Sequence, residues 1–380
     1  MEFAWAPEHE EFRRKIKAAI DRLLPSDWAE KSQYDTSSEY VSKFSRTFCP
    51  ALAKEGLLIP HWPKELGGGG LDPYHHWVLG EEMIKVGEPR SYQYMNVNWA
   101  GPAIIRFGTD EQKQQHISKI VAGTHIWCQG FSEPSAGSDL AAIRTTAERT
   151  PNGYVINGSK IWTSGASLAD FCFMLARTGT ERYGGISVFL VPMKTPGIDV
   201  RIIPCLVGER SVHEVFFTNV EVPESARLGD ENDGWKVVRA VMHNERVGMP
   251  RYALSMRVLD HAVGLLKKKN RFKDAAVRSY AAKTKAALEA ARNLMLNIID
   301  DRMKGKAPTA TTSVARYALV TGDRWLLGFL NDFMYEEVMS GKDPLINVGY
   351  KRTGSTGIGA GSAEIQLNLI ARDMLRLPRE

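Results

Sequence analysis

Apolar residues recur every three or four positions at Phe12, Ile16, Ile20 and Leu23 and stop at Pro25, which predicts an amphipathic helix near the start of the chain. Apolar spacing and punctuation predict further helices near 37–55, 72–86, 99–107 and 110–121. The last opens on Thr109-Asp-Glu-Gln-Lys113, with a hydroxyl and acids where a helix N-terminus favours them. The loop His61-Trp-Pro-Lys-Glu-Leu-Gly-Gly-Gly-Gly70 is a non-helical break. From residue 126 the texture changes to short β-prone runs: Arg144–Arg149, Tyr154–Ile156, Asp170–Ala176, Ile186–Val191, Val200–Ile203 and Val215–Phe217. Turn signals such as Pro151-Asn-Gly153 and Thr195-Pro-Gly197 separate them, so an antiparallel barrel or sandwich of about six to eight strands is expected. Helical texture returns near residue 234 and is clearest from Asp274 to Met303. Helices, then strands, then helices is an α+β layout in three parts, expected at 1–125, 126–233 and 234–380.

A chain of 380 residues is too long for one small core, which agrees with several domains. With 49 basic and 44 acidic residues the net charge is +5, too mild to imply nucleic acid, although it leaves room for a cationic cleft around an anionic ligand. No run of about 18 apolar residues predicts a membrane span. The acidic start Met1-Glu-Phe-Ala-Trp-Ala-Pro-Glu-His-Glu argues against a signal or transit peptide, so a cytoplasmic protein is expected. Cys49, Cys128, Cys172 and Cys205 are dispersed and read as free thiols rather than a disulfide framework. His75, His76, His213 and His243 fit no metal-ligand spacing; surface or core roles are expected for them, and no metal site.

Two segments carry the chemistry: Trp127-Cys-Gln-Gly-Phe-Ser-Glu-Pro-Ser-Ala-Gly-Ser-Asp139 and Gly158-Ser-Lys-Ile-Trp-Thr-Ser-Gly165. Each follows an apolar or β-prone run with glycines that permit close backbone approach and hydroxyls that can donate to a phosphate or a ring carbonyl. Trp162 can lie flat against a planar group. Together they suggest a wall for a large, flat, phosphate-bearing cofactor. Neither contains the Gly-x-Gly-x-x-Gly turn of a Rossmann dinucleotide site.

These segments fall in order with Trp62-Pro-Lys-Glu-Leu-Gly-Gly68, Gly101-Pro-Ala-Ile-Ile-Arg-Phe-Gly-Thr-Asp-Glu-Gln-Lys113 and Glu364-Ile-Gln-Leu-Asn-Leu-Ile-Ala-Arg372, and nearly end to end the chain resembles the acyl-CoA dehydrogenase family. The resemblance implies a helical N-terminal domain, a central β-domain, a C-terminal four-helix bundle, FAD, and a homotetramer or an α2β2 heterotetramer with a sister subunit. It implies that Phe131 and Ser132 contact the flavin ring, that Gly137 and Ser138 lie near the pyrophosphate, and that Trp162, Thr163 and Ser164 flank the ring. Ser138 also enters as a substrate contact, and Ser362 and Glu364 enter as cofactor contacts, Glu364 on the adenosine side. The implied reaction desaturates an acyl thioester at Cα–Cβ and passes the electrons to an electron-transfer flavoprotein.

That reaction needs a base for the α-proton. Many members carry it as a Glu just before the last helix, but Gly359-Ala-Gly-Ser-Ala-Glu-Ile-Gln366 places Ala360 there. A second lineage carries it on the first helix of the C-terminal bundle, where this chain has Asn244-Glu-Arg246, so Glu245 is the expected base. Arg246 either orients that base, meets the CoA phosphates or forms a structural ion pair. The usual Gly-Arg-x-Gln-Phe-Gly is replaced by Lys267-Lys-Lys-Asn-Arg-Phe-Lys-Asp274, in which Arg271 is either a substitute cation for FAD or part of a solvated basic loop. These departures resemble the branch acting on bulky acyl groups, including steroid side-chain CoA esters. A catalytically silent partner subunit and a flavin monooxygenase on the same fold are the alternative expectations.

Overall fold

The computed structural model describes residues 5–307 and 309–378, apart from the side chains of residues 243–246. In chain order it runs α1 (Pro7–Leu23), α2 (Trp28–Ser32), α3 (Glu39–Lys54), α4 (Pro73–Lys85), α5 (Gln93–Met95), α6 (Gly101–Phe107) and α7 (Asp110–Val121). The strands follow as β1 (Trp127–Gly130), β2 (Thr146–Thr150), β3 (Gly153–Lys160), β4 (Phe171–Arg177), β5 (Ile186–Pro192), β6 (Ile198–Cys205), β7 (Gly208–Pro223) and β8 (Arg227–Leu228). The chain closes with α8 (Gly234–Arg246), α9 (Tyr252–Lys268), α10 (Ala275–Met303), α11 (Thr311–Phe333), α12 (Tyr335–Ser340), α13 (Pro344–Ser355) and α14 (Ala363–Asp373). Among the described residues no helix is long and apolar enough to cross a membrane.

Two compact units form, and neither follows chain order. One gathers residues 36–70 and 90–245; the other gathers 1–35, 71–89 and 246–380. The first contains the whole sheet, in the order β6-β7-β3-β2-β4-β5-β8, with β1 alongside β4. Pairing is antiparallel except at β4, which runs parallel to β1 from Trp127↔Phe171 to Gly130↔Met174 and touches β2 in parallel at Thr146↔Arg177. β4 and β5 are near-continuous apolar runs because both faces are covered, and Cys172 to Ala176 are all buried. β6, at the edge, is largely exposed. β1 and β8 are too short for a periodic signal, and β7 extends well beyond the Val215–Phe217 run because its polar first half pairs with β6.

The helices of this unit brace the sheet. Thr109 and Gln112 form a reciprocal capping box at the start of α7, and Gln112 Nε2 also donates to the carbonyls of Ser225 and Arg227 at 2.8 and 2.9 Å. The 61–70 loop is tight enough that a Cβ on Gly68 would sit 2.3 Å from the Trp62 carbonyl oxygen, so only glycine fits. α8 begins against β5, where Ile186 bridges Asp233 and Gly234 lies on the Ile186–Ser187 backbone.

The second unit is helical. α10 and α11 form its spine, with Leu288, Met295, Leu319, Leu326 and Phe329 in a shared core. Gly322 lets them approach, since a Cβ there would lie 2.9 Å from Leu288 Cδ2. α1 and α4 join this unit through a buried charge network. Arg13 contacts Glu82 at 2.5 Å and Glu81 at 2.9 Å, Tyr252 donates to Glu81 at 2.6 Å, and Trp77 Nε1 donates to Tyr252 at 2.9 Å. Burial would raise the Glu82 carboxyl, but Lys85 and Arg13 outweigh it and hold it below its usual range. At the N-termini of α1 and α4, Asp72 joins His9 Nε2 at 3.0 Å and His75 Nδ1 at 2.9 Å. The three side chains offer atoms within 4.8 Å of one another, a gathering that their spacing along the chain does not disclose.

Candidate functional site

The two motif segments meet at the ends of β1 and β3. β1 lies close on β4, where a Cβ on Gly130 would come 2.8 Å from Cys172 Sγ. The chain then leaves the sheet through Phe131 and Ser132. Phe131 is buried, edge-on to Trp99 with ring centroids 5.5 Å apart, and tilted against Phe173 at 5.7 Å. The Ile161 amide donates to the Ser132 carbonyl at 2.9 Å, which fixes the end of β3 beside the end of β1. Glu133 and Ala136 close the next turn with mutual backbone hydrogen bonds. Gly137 and Ser138 follow on the exposed surface, and no heavy atom lies within 4 Å of a Cβ built on Gly137. Asp139 is held by both carboxylate oxygens on Arg182 at 2.6 and 2.7 Å.

Past β3 the corner is unusual. Trp162 has φ 59°, a left-handed conformation that costs a bulky residue energy, and its indole is 57% exposed. Thr163 beside it is fully buried, with its backbone locked by reciprocal hydrogen bonds to His213 at 3.0 and 3.1 Å. The Thr163 hydroxyl is buried and finds no hydrogen-bond partner among the described residues. An unmade hydrogen bond of this kind costs roughly 1–3 kcal/mol. Gly165, at φ 68°, turns under the Tyr92 ring, where a Cβ would lie 2.6 Å away.

His213 supports the corner from behind, buried in the core, one of the two roles expected for it. Nδ1 meets the Thr163 carbonyl at 3.1 Å and Nε2 meets Ser167 Oγ at 2.8 Å. Burial lowers its pKa, so the ring is held neutral. Glu133 and Lys160 form a buried ion pair at 2.7 Å inside the same corner. Neither was singled out from the sequence. The available signal was Lys160 at an inward position of β3, in the alternation that also buries Tyr154 and Ile156.

The remaining predicted residues lie elsewhere in the chain. Arg271 is exposed on a short 3-10 turn, donating to the Phe333 carbonyl at 3.3 Å. Ser362 caps α14, accepting from the Ile365 amide at 3.3 Å. Glu364 stands exposed in that first turn, its carboxyl lowered by its own amide and by Ser362. The preceding loop is held by Arg316, which donates to the Thr356 and Gly359 carbonyls at 2.5 and 2.9 Å, and by Gln366, which donates to those of Ala360 and Gly361. Ala360 itself, at φ 59°, brings no titratable group to that loop. Glu245 and Arg246 occupy the last turn of α8, but their side chains lie outside the described residues.

One unit thus carries an eight-stranded sheet with an exposed indole beside a buried hydroxyl at one corner, and comparisons with known proteins identify the family. Residues 6–124, 128–220 and 232–375 match the N-terminal, middle and C-terminal domains of acyl-CoA dehydrogenases, and the chain belongs to that family. It is 32% identical over 382 residues to the acyl-CoA dehydrogenase IpdE1 of Mycobacterium tuberculosis, covering 98% of both chains. Among solved structures it matches the Tcur3481-Tcur3483 steroid ACAD with a TM-score of 0.89 at 27% identity, covering 100% of both chains. It also matches the ChsE4-ChsE5 complex from Mycobacterium tuberculosis with a TM-score of 0.87 at 27% identity, again covering 100% of both. The chain is accordingly an oxidoreductase of the acyl-CoA dehydrogenase class, a family that generally binds FAD. The residues at the corner fit that cofactor: a flat exposed indole, the buried Thr163 hydroxyl left to donate, and an open glycine–serine turn at 137–138.

Proposed function

We propose that this chain desaturates a bulky acyl-CoA thioester between Cα and Cβ with the help of FAD. The unpartnered Thr163 hydroxyl beside the exposed, strained Trp162 is the observation that carries this reading. FAD, when bound, supplies the two-electron acceptor for the β-hydrogen. Phe131, Ser132, Trp162, Thr163 and Ser164 would hold its ring, and Gly137 and Ser138 its pyrophosphate, with Ser138 also reaching the substrate. Ser362, Glu364 and Arg271 would serve its adenosine and phosphate side. A buried hydroxyl with no protein partner is suited to donate to a ring that gains negative charge on reduction.

Glu245 is assigned as the base. Its carboxylate takes the α-proton and becomes a carboxylic acid, which must lose that proton before the next turnover. Arg246, the next residue in the chain, would steady the carboxylate or meet the CoA phosphates. Electrons leave for an electron-transfer flavoprotein. The preference for a large acyl group rests on the likeness to a protein titled a steroid ACAD. A second reading, that this chain is one member of a two-chain assembly, is favoured by the two-chain titles of both structural neighbours.

Anaerobic mixing of the purified, FAD-supplemented protein with short-chain, long-chain and steroid side-chain acyl-CoA esters tests the proposal. Bleaching of the flavin band by a bulky ester supports it. A chain that takes up FAD only with its sister subunit supports the assembly reading. A yellow protein that no ester bleaches, but that consumes oxygen steadily once reduced, would point to monooxygenase chemistry instead.

A further inference from the structure

The Glu133–Lys160 pair has no place in the reaction just described, yet it is the most deeply buried ion pair at the corner. Lys160 is fully buried and Glu133 nearly so. Lys160 Nζ donates to Glu133 Oε1 at 2.7 Å and to the carbonyl oxygen of Phe131 at 3.2 Å. Glu133 also accepts the amide N–H groups of Arg144 at 2.6 Å and Thr145 at 2.9 Å. The Thr145 hydroxyl in turn donates to the Ser159 carbonyl at 3.3 Å. One carboxylate and one ammonium thus tie together residues 131–133, the entry to β2 and the end of β3, the three stretches that frame Ser132, Trp162 and Thr163.

A buried ion pair is a costly way to hold strands together, and an apolar pair of the same volume often does as well or better. An apolar side chain at 160 would fill the space but could not hold the Phe131 carbonyl. That carbonyl decides which way the Phe131–Ser132 peptide faces. Burial alone would raise the Glu133 carboxyl, but Lys160 and the two amides outweigh it, so the group stays ionised.

We propose that Lys160 and Glu133 are positioning residues for the cofactor wall, turning the Phe131 carbonyl inward so that Ser132 and the Trp162–Thr163 corner face the flavin ring. The inference rests on the flavoenzyme reading above and adds to it a specific device. Three variants test it: Lys160→Met, Glu133→Gln, and the two combined, which removes both charges at nearly constant shape. The combined variant is expected to fold, to bind FAD at least tenfold more weakly than the wild type, and to shift the visible circular dichroism of whatever flavin it holds. Glu133→Gln, which keeps an acceptor for Thr145, is expected to show the same spectral shift to a smaller extent. Hydrogen exchange should quicken at the Arg144 and Thr145 amides in Lys160→Met while α10 and α11 keep their protection.

A folded combined variant with wild-type FAD affinity and an unchanged spectrum would overturn the positioning role alone. A wild type that takes up no FAD, with or without a sister subunit, would bring down the functional reading instead. In that event, unaltered exchange at residues 131–145 in Lys160→Met would still reject the tie between these segments.

Discussion

Both compact units bury charge, and they use it differently. In the helical unit Arg13, Glu81, Glu82, Lys85, Tyr252 and Trp77 satisfy one another, and every group has another to lean on. In the unit that holds the sheet, Glu133 and Lys160 have each other and a few backbone groups, and two strand ends away Thr163 is buried with its hydroxyl unclaimed. The first arrangement ties helices together through shared partners; the second ties strand ends and leaves one hydroxyl with no partner among the described residues. In the proposed reading the redundant network is scaffold, and the single tie beside the unclaimed hydroxyl belongs to the cofactor site.

Four changes sharpen or break that contrast. The largest effect is expected from Glu245→Gln, which should lower the rate of flavin bleaching by about 10²–10⁴-fold while FAD stays bound, as measured by anaerobic stopped flow. Wild-type bleaching in this variant would move the base elsewhere. Arg13→Met should come next, because it takes one charged partner from each of two buried carboxylates, which keep only Lys85 and Tyr252 close by; a loss of about 1.5–3 kcal/mol in denaturant unfolding is expected, with the flavin spectrum unchanged. A spectral change without loss of stability would reverse the roles given to the two units.

The third prediction concerns pH. His116 is buried against Trp127 and Phe171, and burial lowers its pKa from 6.5 to about 4. The depressed value means that the unfolded chain binds the proton more readily. Stability from this ring is therefore complete above pH 6.5 and is lost as the pH falls toward 4, by at most about 3 kcal/mol. His116→Phe should flatten that part of the stability profile, leaving the steeper fall below 4.5 that Glu82 and Glu133, both held below their ordinary value, produce on protonation. An identical profile in wild type and variant would refute the neutral buried ring.

The smallest stability effect is expected from Thr163→Val. Removing a hydroxyl that bonds to none of the described residues should change unfolding by no more than about 1 kcal/mol, in the stabilising direction, while weakening FAD binding. Equal FAD affinity in the two proteins would show that the hydroxyl does not face the cofactor.

Local pattern determined a good deal of this protein. The Phe12–Leu23 stripe, the Thr109 cap and the apolar runs of β4 and β5 are short-range signals, since helix period, capping and two-sided burial are each written within a few neighbouring residues. The order of five motifs was enough to indicate the family. Tertiary structure decided the rest. It split the first helices between two units, laid β1 parallel to β4, and brought Glu133 onto Lys160 across 27 residues of chain. It also buried the Thr163 hydroxyl without a partner among the described residues. Whether a hydroxyl is satisfied, or a lysine stands in a core, depends on what folds against it from far along the chain, and no local periodicity carries that information.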